Sequence, residues 1–418
     1  MSPGLEPTPE GELVAETDPG SENPPVTLAP GPAPAQPSDA ASAPPAAPSA
    51  GRPLRTPSAV RRRNLLVSAV PAAVSLVVGG YRLGSPSLWR DEAYTKDAIG
   101  RSLGQLFAML AHQDAVHGAY YVLMYAITPV IGTSTTALRV PSLIAMVIAT
   151  AFTAAVGHRA AAMAQEPRIG PDGSQAGSEA GEPPASGWAD RMDVPALTGL
   201  LSGLLFAIAP YMTFYAQMAR SYAIETMFAT IATYLLLRAC PDGRWRWWSA
   251  YGVAVALTGL FNLFGLLLLA AHAVTLLSVG WRGASWRGAR WRAHPGRGRW
   301  AGPVPLRWLA VSAAAVLALI PLLVVMAGQQ EQIAWLSRPN GKAVQRLLDT
   351  LAGTHSLVVP FALIVAAGIV AACLADNWRP LNPVAVALPW LVVPPALLIA
   401  ASYVKPVYYI RYVEFCLP

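Results

Sequence analysis

A polar stretch early in the chain carries the residue types of acid–base chemistry. Residues 84–117 read GSPSLWRDEAYTKDAIGRSLGQLFAMLAHQDAVH and contain the adjacent carboxylates Asp91 and Glu92. A carboxylate that is partly removed from water becomes more basic, which suits it to accept a proton from a hydroxyl. A carboxylate pair at a helix start is explained equally well by the helix macrodipole, so both interpretations of this pair stay open.

The same stretch ends in a second acid and a histidine, Asp114 and His117, where the next apolar run begins. A weaker acid–histidine pair, Asp349 and His355, lies in a later polar loop and could line the same site. The spacing of the other histidines does not suit a metal, and we expect each of them to be solvated or bound to a neighbour. They are His112, His158, His272 and His294.

Cations that could bind a phosphate lie beside apolar runs, where lipid makes a charge expensive. Arg220 separates two such runs and could neutralise a phosphate or pair with Glu225. A turn residue that reaches out to the lipid surface explains it equally well. Arg139 opens a run beside Pro141, and a positive-inside anchor is its simpler interpretation.

The last residues of the chain combine cations with aromatic side chains. Lys405 and Arg411 lie among Tyr408, Tyr409 and Tyr412. A belt of interfacial aromatic residues explains the tyrosines, but cations are disfavoured on the external side of a membrane. Cations at such a boundary suit an anionic headgroup instead, because fixed positive charge stabilises a phosphate.

The apolar content decides the environment of these residues. Of 418 residues, 54% are apolar and 13% are charged, and the mean hydropathy is +0.40. An ordinary soluble domain carries roughly 25% charged residues, so this composition excludes a cytosolic globular protein. It predicts an all-α, polytopic transmembrane helical bundle in the cell membrane.

The net charge of +7 divides along the chain. Residues 1–60 hold 15 of the 39 prolines, seven acids and two arginines, which predicts a disordered cytoplasmic tail without a conventional signal peptide. Residues 61–418 form the predicted transmembrane domain, interrupted by an unstructured loop at 164–193. Arginines collect at 61–63 and 281–307, and basic loops beside spans stay cytoplasmic. The charge therefore predicts membrane orientation and contact with anionic lipid, and no nucleic-acid partner.

Nine apolar runs are long enough, or nearly long enough, to span a membrane. They lie near residues 64–83, 118–132, 137–163, 194–214, 221–239, 249–279, 306–327, 356–375 and 383–403. If each run crosses once, the polar turn at 240–248 falls outside, against the positive-inside bias. A hairpin within 249–279 together with a non-spanning 118–132 removes that conflict. The segments that both topologies place outside are 84–117, 328–355 and the tail after Tyr403.

An amphipathic helix is expected to hold the early carboxylates in place. Ser87 or Asp91 could cap a helix that begins at Glu92. Apolar residues then recur at helical spacing, namely Ala93, Ile99, Leu103, Leu106, Phe107 and Leu110. We therefore predict an amphipathic helix along the outer membrane surface, in the first external loop.

Five segments together resemble the GT-C superfamily of integral-membrane glycosyltransferases, and especially its protein O-mannosyltransferase-like (glycosyltransferase family 39-like) branch in actinobacterial form. They are SLWRDEAYT, DAVHGAYYVLMYAI, TALRVPSLIA, LLFAIAPYMTFYAQMARSYAIE and YYIRYVEFCLP, in the family's order. They cover roughly residues 85–239 and the last dozen residues. The chain ends at Pro418, where members of that family continue with further spans, so we expect a C-terminally incomplete domain.

The resemblance assigns roles to residues. It implies Asp91 as the catalytic base, and we predict Asp91 and Glu92 as the catalytic residues. The family's histidine–proline–proline element corresponds to HGAYY at 117–121, and its Gln-Glu-Ala-Arg pattern corresponds to QMAR at 217–220, without the glutamate. The residues that we predict to bind substrate are Asp114, His117, Tyr120, Tyr121, Arg139, Arg220, Tyr222, Lys405, Arg411 and Tyr412.

The resemblance also implies the reaction. A sugar, most simply mannose, would pass from a polyprenyl-phosphate donor to an acceptor hydroxyl on the external face, with inversion. Fixed cations would stabilise the departing phosphate, so we expect no cofactor and no divalent metal. The expected partners are this donor, an acceptor protein, lipid or glycan, and membrane lipids.

Two other classes of function remain as alternatives. A transporter or flippase for a lipid-linked or anionic solute would explain cations within the membrane, although the sequence lacks the internal repeats typical of transporters. A non-catalytic scaffold would bind partners through the proline-rich residues 1–60.

Overall fold

The regular elements are all helical in the computed structural model, which describes residues 57–165, 193–282, 304–374 and 381–418. The predicted all-α class is therefore confirmed for these ranges. Three predictions lie outside the described residues except at their edges: the tail at 1–60, the loop at 164–193 and the arginine-rich stretch within 281–307.

The described residues contain fifteen α-helices joined by short turns and 3₁₀ segments. In chain order they are α1 (Pro57–Gly80), α2 (Arg90–Ile99), α3 (Leu103–His112), α4 (Gly118–Ile131), α5 (Thr135–Gln165), α6 (Val194–Ile208), α7 (Pro210–Ala216), α8 (Tyr222–Asp242), α9 (Trp245–Phe261), α10 (Leu268–Arg282), α11 (Val304–Ala318), α12 (Ile320–Ala327), α13 (Gly341–Ala352), α14 (Val358–Leu374) and α15 (Pro383–Val404).

Four helical segments are long and apolar enough to cross a membrane. They are α5, α8, α15 and the segment His355–Cys373, which includes most of α14. Two bent pairs qualify if each counts as one span: α6 with α7, bent by 63°, and α11 with α12, bent by 48°. By length and composition, the described helices thus supply four to six spans, in agreement with a polytopic helical membrane protein.

The short run at 118–132 forms α4, which has 14 residues and rises about 21 Å. That length falls short of a hydrocarbon core of about 30 Å. Tyr121, near the start of α4, binds Asp114, and Arg139, just after the start of α5, binds Glu92. Both ends of α4 therefore lie beside residues 84–117, as expected for an apolar helix that is too short to span.

The long run at 249–279 breaks at Asn262, whose side chain accepts the Phe264 N–H at 3.3 Å and caps a 3₁₀ segment, Leu263–Leu267. Phe261 at the end of α9 stacks on Phe228 near the start of α8, with ring centroids 5.9 Å apart, so α8 and α9 run antiparallel. The turn at 242–245 then lies at the opposite end of α8 from residues 84–117. Of the two predicted topologies, these contacts favour the one with a hairpin and a non-spanning α4.

Small residues bring α1, α5 and α6 into close contact. A Cβ atom on Gly199 would lie 2.7 Å from the Ala154 carbonyl oxygen, and one on Gly203 would lie 2.7 Å from Pro71. Without a hydrophobic driving force between helices in lipid, such close backbone approach is a main source of packing energy. This close approach packs the later part of α5 against α1 and α6.

A directed chain of hydrogen bonds links α11, α9, α10 and α8. Trp308 Nε1 donates to Tyr251 Oη at 2.9 Å, and the Tyr251 hydroxyl contacts His272 Nδ1 at 3.0 Å. His272 Nε2 contacts Thr233 Oγ1 at 3.1 Å, and that hydroxyl donates to the Ala229 carbonyl. Because Thr233 already donates elsewhere, His272 carries its proton on Nε2 and accepts at Nδ1.

The predicted amphipathic helix in the first loop consists of two helices, α2 and α3. α2 begins at Arg90 with Trp89 as its N-cap, so neither proposed cap, Ser87 or Asp91, is used. The chain restarts at Ser102, which accepts the Gln105 N–H at 3.3 Å while the Gln105 side chain accepts the Ser102 N–H at 3.0 Å. This reciprocal capping box explains the break. α3 remains amphipathic, and its exposed apolar residues suit a membrane surface.

Candidate functional site

Glu92 and Arg139 form a fully buried ion pair that joins α2 to α5. Arg139 Nη2 lies 2.6 Å from Glu92 Oε2 and Arg139 Nε lies 2.8 Å from Glu92 Oε1, which makes the contact bidentate. The same carboxylate accepts the backbone N–H groups of Trp89 at 3.0 Å and Ala219 at 2.8 Å. Four donors thus occupy Glu92, and no side-chain surface of either partner is exposed.

This network fixes the loop that carries Asp91. Arg139 also donates to the carbonyl oxygens of Leu83, Pro86 and Ser87 at 2.9 to 3.1 Å. Burial would raise the pKa of Glu92, but these hydrogen bonds and the Arg139 charge hold it below its usual value. Glu92 is therefore an ionised residue whose carboxylate oxygens are fully occupied by the four donors that hold the loop.

Asp91 points away from that anchor and pairs with Arg411, which donates to Asp91 Oδ2. Both side chains are partly exposed, 34% for Asp91 and 18% for Arg411. The Arg411 guanidinium also lies 5.6 Å from the ring centroid of Tyr409. Residues 84–117 and the end of the chain therefore meet at the two residues that we predicted from the sequence as base and phosphate ligand.

A second ionic cluster contains Asp114, Tyr121 and Arg220. The Tyr121 hydroxyl donates to Asp114 and accepts a hydrogen bond from Arg220 Nη1, which lies 3.6 Å from the Asp114 carboxylate. Burial would raise the pKa of Asp114, but its neighbours, Arg220 and Tyr121 among them, hold it below the usual value. Arg220 pairs with Asp114 rather than with Glu225, the other partner that the sequence suggested.

Arg220 lies in the break between α7 and α8, and this break is tied to α2. The Thr95 hydroxyl donates to the Ala219 carbonyl at 2.8 Å, and the Ser142 hydroxyl contacts the Arg220 carbonyl at 3.4 Å. Arg220 Nε is buried and has no hydrogen-bond partner in the described part of the chain. An unpaired buried donor costs about 1–3 kcal/mol, a cost that is commonly found at functional sites.

His117 connects the two ionic groups. Its Nδ1 lies 2.8 Å from the Ser221 hydroxyl, and its ring packs edge-on against Tyr222 at 5.5 Å. Burial, together with the positive charge of Arg220, lowers the pKa of His117 to about 3, so the ring is neutral near pH 7. The charges of Asp91 and Arg411 also act on this ring, which places both ionic groups in one site.

The loop after α12 belongs to the segment 328–355, which we predicted on the same side as this site, and it contacts the site through two glutamines that we did not predict. Gln332 Oε1 accepts the Asp114 N–H at 3.1 Å, and Gln329 Oε1 accepts the Ala115 N–H at 3.0 Å. The Gln329 amide also donates to the Leu110 carbonyl at 2.8 Å. Asp114 itself has a positive φ of 60°, a conformation that an L-residue adopts rarely and that these contacts hold.

The other predicted residues are distributed as follows. Tyr120 and Tyr222 are buried in the protein core beside the site. Tyr412 stacks on Phe264, with ring centroids 4.4 Å apart. Lys405 contacts Gln330 and is exposed, so it lies beside the loop after α12 and apart from the Asp91 pair. Asp349 and His355 bind each other at 2.9 Å on the surface.

The acidic side chains of the site have arginine partners. The described ranges contain no group of three or more His, Cys, Asp or Glu side chains that could hold an ion. The acids of the site are bound by arginine instead: Asp91 by Arg411, Glu92 by Arg139 and Asp114 by Arg220. The site thus contains the partly exposed carboxylate of Asp91 paired with Arg411, and nearby the Arg220–Asp114 pair and the neutral His117 ring.

Comparison with known proteins gives a finding at the level of a family. A family model described as dolichyl-phosphate-mannose-protein mannosyltransferase matches residues 193–291, about a quarter of the chain. The match includes Arg220 and Tyr222 but neither Asp91 nor Arg411. No curated protein and no solved structure gives a match. The family match supports the resemblance to membrane glycosyltransferases of the mannosyltransferase type.

Proposed function

We propose that this protein is a membrane glycosyltransferase that moves a sugar from a polyprenyl-phosphate donor to an acceptor hydroxyl. The observation that carries the proposal is the contact of Asp91 with Arg411 beside the Asp114–Tyr121–Arg220 cluster. These groups combine a base for a hydroxyl proton with fixed positive charge for a phosphate. The family match at 193–291 supports the same reaction class.

Asp91 acts as the general base in this proposal. The acceptor oxygen attacks the anomeric carbon as its proton passes to the Asp91 carboxylate, while the bond from that carbon to the phosphate oxygen breaks. A single displacement of this kind inverts the anomeric centre. Glu92 cannot take the same role because four hydrogen bonds occupy its oxygens.

Arg411 and Arg220 stabilise the departing polyprenyl phosphate. Preorganised positive charge is worth most where negative charge develops in a site that excludes water. Arg411 is partly exposed beside the base, whereas Arg220 is held by Asp114 and Tyr121 at the buried side of the site. With cations in these positions, the reaction requires no metal, and this absence of a cofactor is part of the proposal.

His117 supports the site without titrating near neutral pH. The neutral ring forms a hydrogen bond with Ser221 and packs on Tyr222, so it is a fixed, uncharged group near both Asp114 and Asp91. Since its pKa is about 3, the ring stays uncharged near pH 7 and adds no positive charge to the site.

The finer assignments belong to the same proposal. Mannose as the sugar and the actinobacterial O-mannosyltransferase-like branch follow from the resemblance of the five segments. The extracytoplasmic position of the site, in the plasma membrane, follows from the positive-inside bias, because Arg244 and Arg246 lie at the other end of α8. The acceptor is a hydroxyl of a protein, a lipid or a glycan.

The test is sugar transfer by purified protein in lipid vesicles, with labelled polyprenyl-phosphate mannose as donor. We expect transfer to acceptors from the same cells, and loss of transfer in Asp91→Asn. A transporter or flippase would instead move the labelled lipid between leaflets without transfer, and this movement is measured in the same vesicles. Flipping without transfer, unaffected by Asp91→Asn, would reject the proposal.

A further inference from the structure

Two further carboxyl groups lie deep beneath the site and have no role in the proposed reaction. Glu225 on α8 is 0% exposed and Glu414 near the end of the chain is 2% exposed. None of their four carboxyl oxygens has a hydrogen-bond donor in the described ranges if both groups are ionised. An isolated buried carboxylate is so costly that such a group takes up a proton or finds a partner.

The partner of each carboxyl group is the other. Their side chains lie within hydrogen-bonding reach of each other, and the Asn262 side chain also faces Glu225. The surrounding space is tight, since a Cβ atom on Gly265 would lie 2.8 Å from Glu225 Oε1. Ionising both of these neighbouring buried carboxyl groups is costly, so near pH 7 they retain one proton, and sharing it satisfies a donor and an acceptor.

We propose that Glu225 and Glu414 share a proton, and that the protonated pair ties the 3₁₀ segment Ile410–Cys416 to α8 and thereby positions Arg411 against Asp91. Glu225 and Glu414 are positioning residues in this proposal. It rests on the proposed function only where it predicts an effect on sugar transfer.

The geometry of the segment explains how the pair reaches Arg411. In a 3₁₀ helix, side chains three positions apart lie on the same face. Glu414 follows Arg411 by three positions, so anchoring Glu414 sets the direction of Arg411. The stacking of Tyr412 on Phe264 and the burial of Phe415 add support, but neither contact is directional enough to set that rotation.

The pair makes the segment sensitive to alkaline pH. Burial raises the pKa of Glu414 to about 8, against the opposing charge of Arg411. The titratable or charged groups that face the pair are Tyr215, Tyr222, Arg411 and Cys416. A carboxyl group in the unfolded chain loses its proton near pH 4.3, so the pair's contribution to stability falls as pH rises from there and is lost above about pH 8.

The first experiment measures the shared proton without sugar transfer. Infrared spectra of the protein in vesicles contain the absorption of a protonated carboxyl group, which carboxylates lack. We expect this absorption at pH 7 in the wild-type protein and its loss in Glu414→Gln and in Glu225→Gln. Glu331→Gln, which removes an exposed carboxylate, is the matched control. An absorption unchanged in both pair variants overturns the proposal.

The second experiment measures the segment itself. In a Cys373→Ala background, the buried Cys416 reports release of the segment by its rate of reaction with a maleimide. At pH 9 about nine tenths of the wild-type protein should have both carboxyl groups ionised, which releases the segment and exposes Cys416. Glu414→Gln cannot ionise at position 414, so we expect its Cys416 to react at least about tenfold more slowly than that of the wild-type protein. Equal rates at pH 9 would contradict the proposal, whatever the protein transfers.

The third experiment connects the pair to the proposed function. Glu414→Gln keeps a hydrogen bond to the Glu225 carboxylate, so its kcat for transfer at pH 7 should stay within about twofold of wild type. The rate of transfer by the wild-type protein should fall about tenfold between pH 7 and pH 9. In Glu414→Gln this fall should begin at a higher pH. Glu414→Leu should lose kcat with little change in KM. Coincident pH profiles of wild type and Glu414→Gln would overturn the coupling to Arg411.

Discussion

Asp91 and Arg411 form an ion pair although 320 positions separate them in the chain. One residue after Asp91, Glu92 is enclosed with Arg139 in a contact without exposed surface. Two adjacent carboxylates thus have different environments because they leave the start of α2 in different directions. The buried pair holds the loop, and the partly exposed pair faces the site.

Replacing Arg411 should impair the chemical step more than substrate binding. Removing one preorganised charge-stabilising group commonly costs 10²–10³-fold in kcat, and we expect about 10²-fold for Arg411→Gln because Arg220 remains. Arg411→Lys should recover part of this loss. Steady-state kinetics of sugar transfer provide the measurement, with Arg101→Gln as the control, since Arg101 pairs with Asp97 on the surface. Equal losses in both variants would argue against a specific role of Arg411.

Breaking the Glu92–Arg139 pair should destabilise the protein. Removal of one partner from a buried pair costs about 3–5 kcal/mol, because the other charge stays buried without compensation. We expect Arg139→Met to lower the free energy of unfolding in detergent by this amount. Asp97→Asn, which breaks the exposed pair with Arg101, should change it by about 1 kcal/mol or less. A stable Glu92→Gln variant without activity would instead assign Glu92 to the chemistry.

The low pKa of His117 predicts the shape of two pH profiles. The folded ring accepts a proton near pH 3, whereas a histidine in an unfolded chain does so near pH 6.5. The free energy of unfolding should therefore decrease as pH falls from about 6.5 to about 3, and less steeply in His117→Gln. Transfer should show no titration from His117 between pH 5 and pH 8. A kinetic step near pH 6.5 that disappears in His117→Gln would show that the ring titrates.

The helix directions predict which loops face the outside. His112 is exposed beside the site, and Arg246 is exposed at the opposite end of α8. We expect a membrane-impermeant maleimide to label His112→Cys in intact cells and Arg246→Cys only after permeabilisation. The reverse pattern would invert the proposed topology, and labelling of both residues in intact cells would contradict the hairpin formed by α9 and α10.

Much of the fold could be predicted from composition and periodicity. Apolar content alone indicated a helical membrane protein, and the run at 118–132 could already be recognised as shorter than a typical span. The division between α2 and α3 could also have been recognised from the sequence, because Ser102 and Gln105 have the spacing of a capping box. It was missed because the apolar residues on both sides continue one helical period.

The partners within the site could not be predicted in the same way. Asp91, Asp114 and His117 were identifiable because acids and histidines are rare beside apolar runs. The pairing of Arg220 with Asp114 and the contacts of Gln329 and Gln332 join positions that are about a hundred or more residues apart. Such contacts depend on how helices pack, and a single sequence contains no local pattern for them. Glu225 and Glu414 were missed as a pair for the same reason.

The most direct measurement compares wild-type protein and Asp91→Asn in sugar transfer from labelled polyprenyl-phosphate mannose. A general base contributes about 10²–10⁴-fold to the rate. We expect kcat of the variant to fall within that range, with the free energy of unfolding within about 1 kcal/mol of wild type. Asp97→Asn on the same helix should transfer at the wild-type rate. Transfer by Asp91→Asn at the wild-type rate would contradict the assignment of Asp91 as the base.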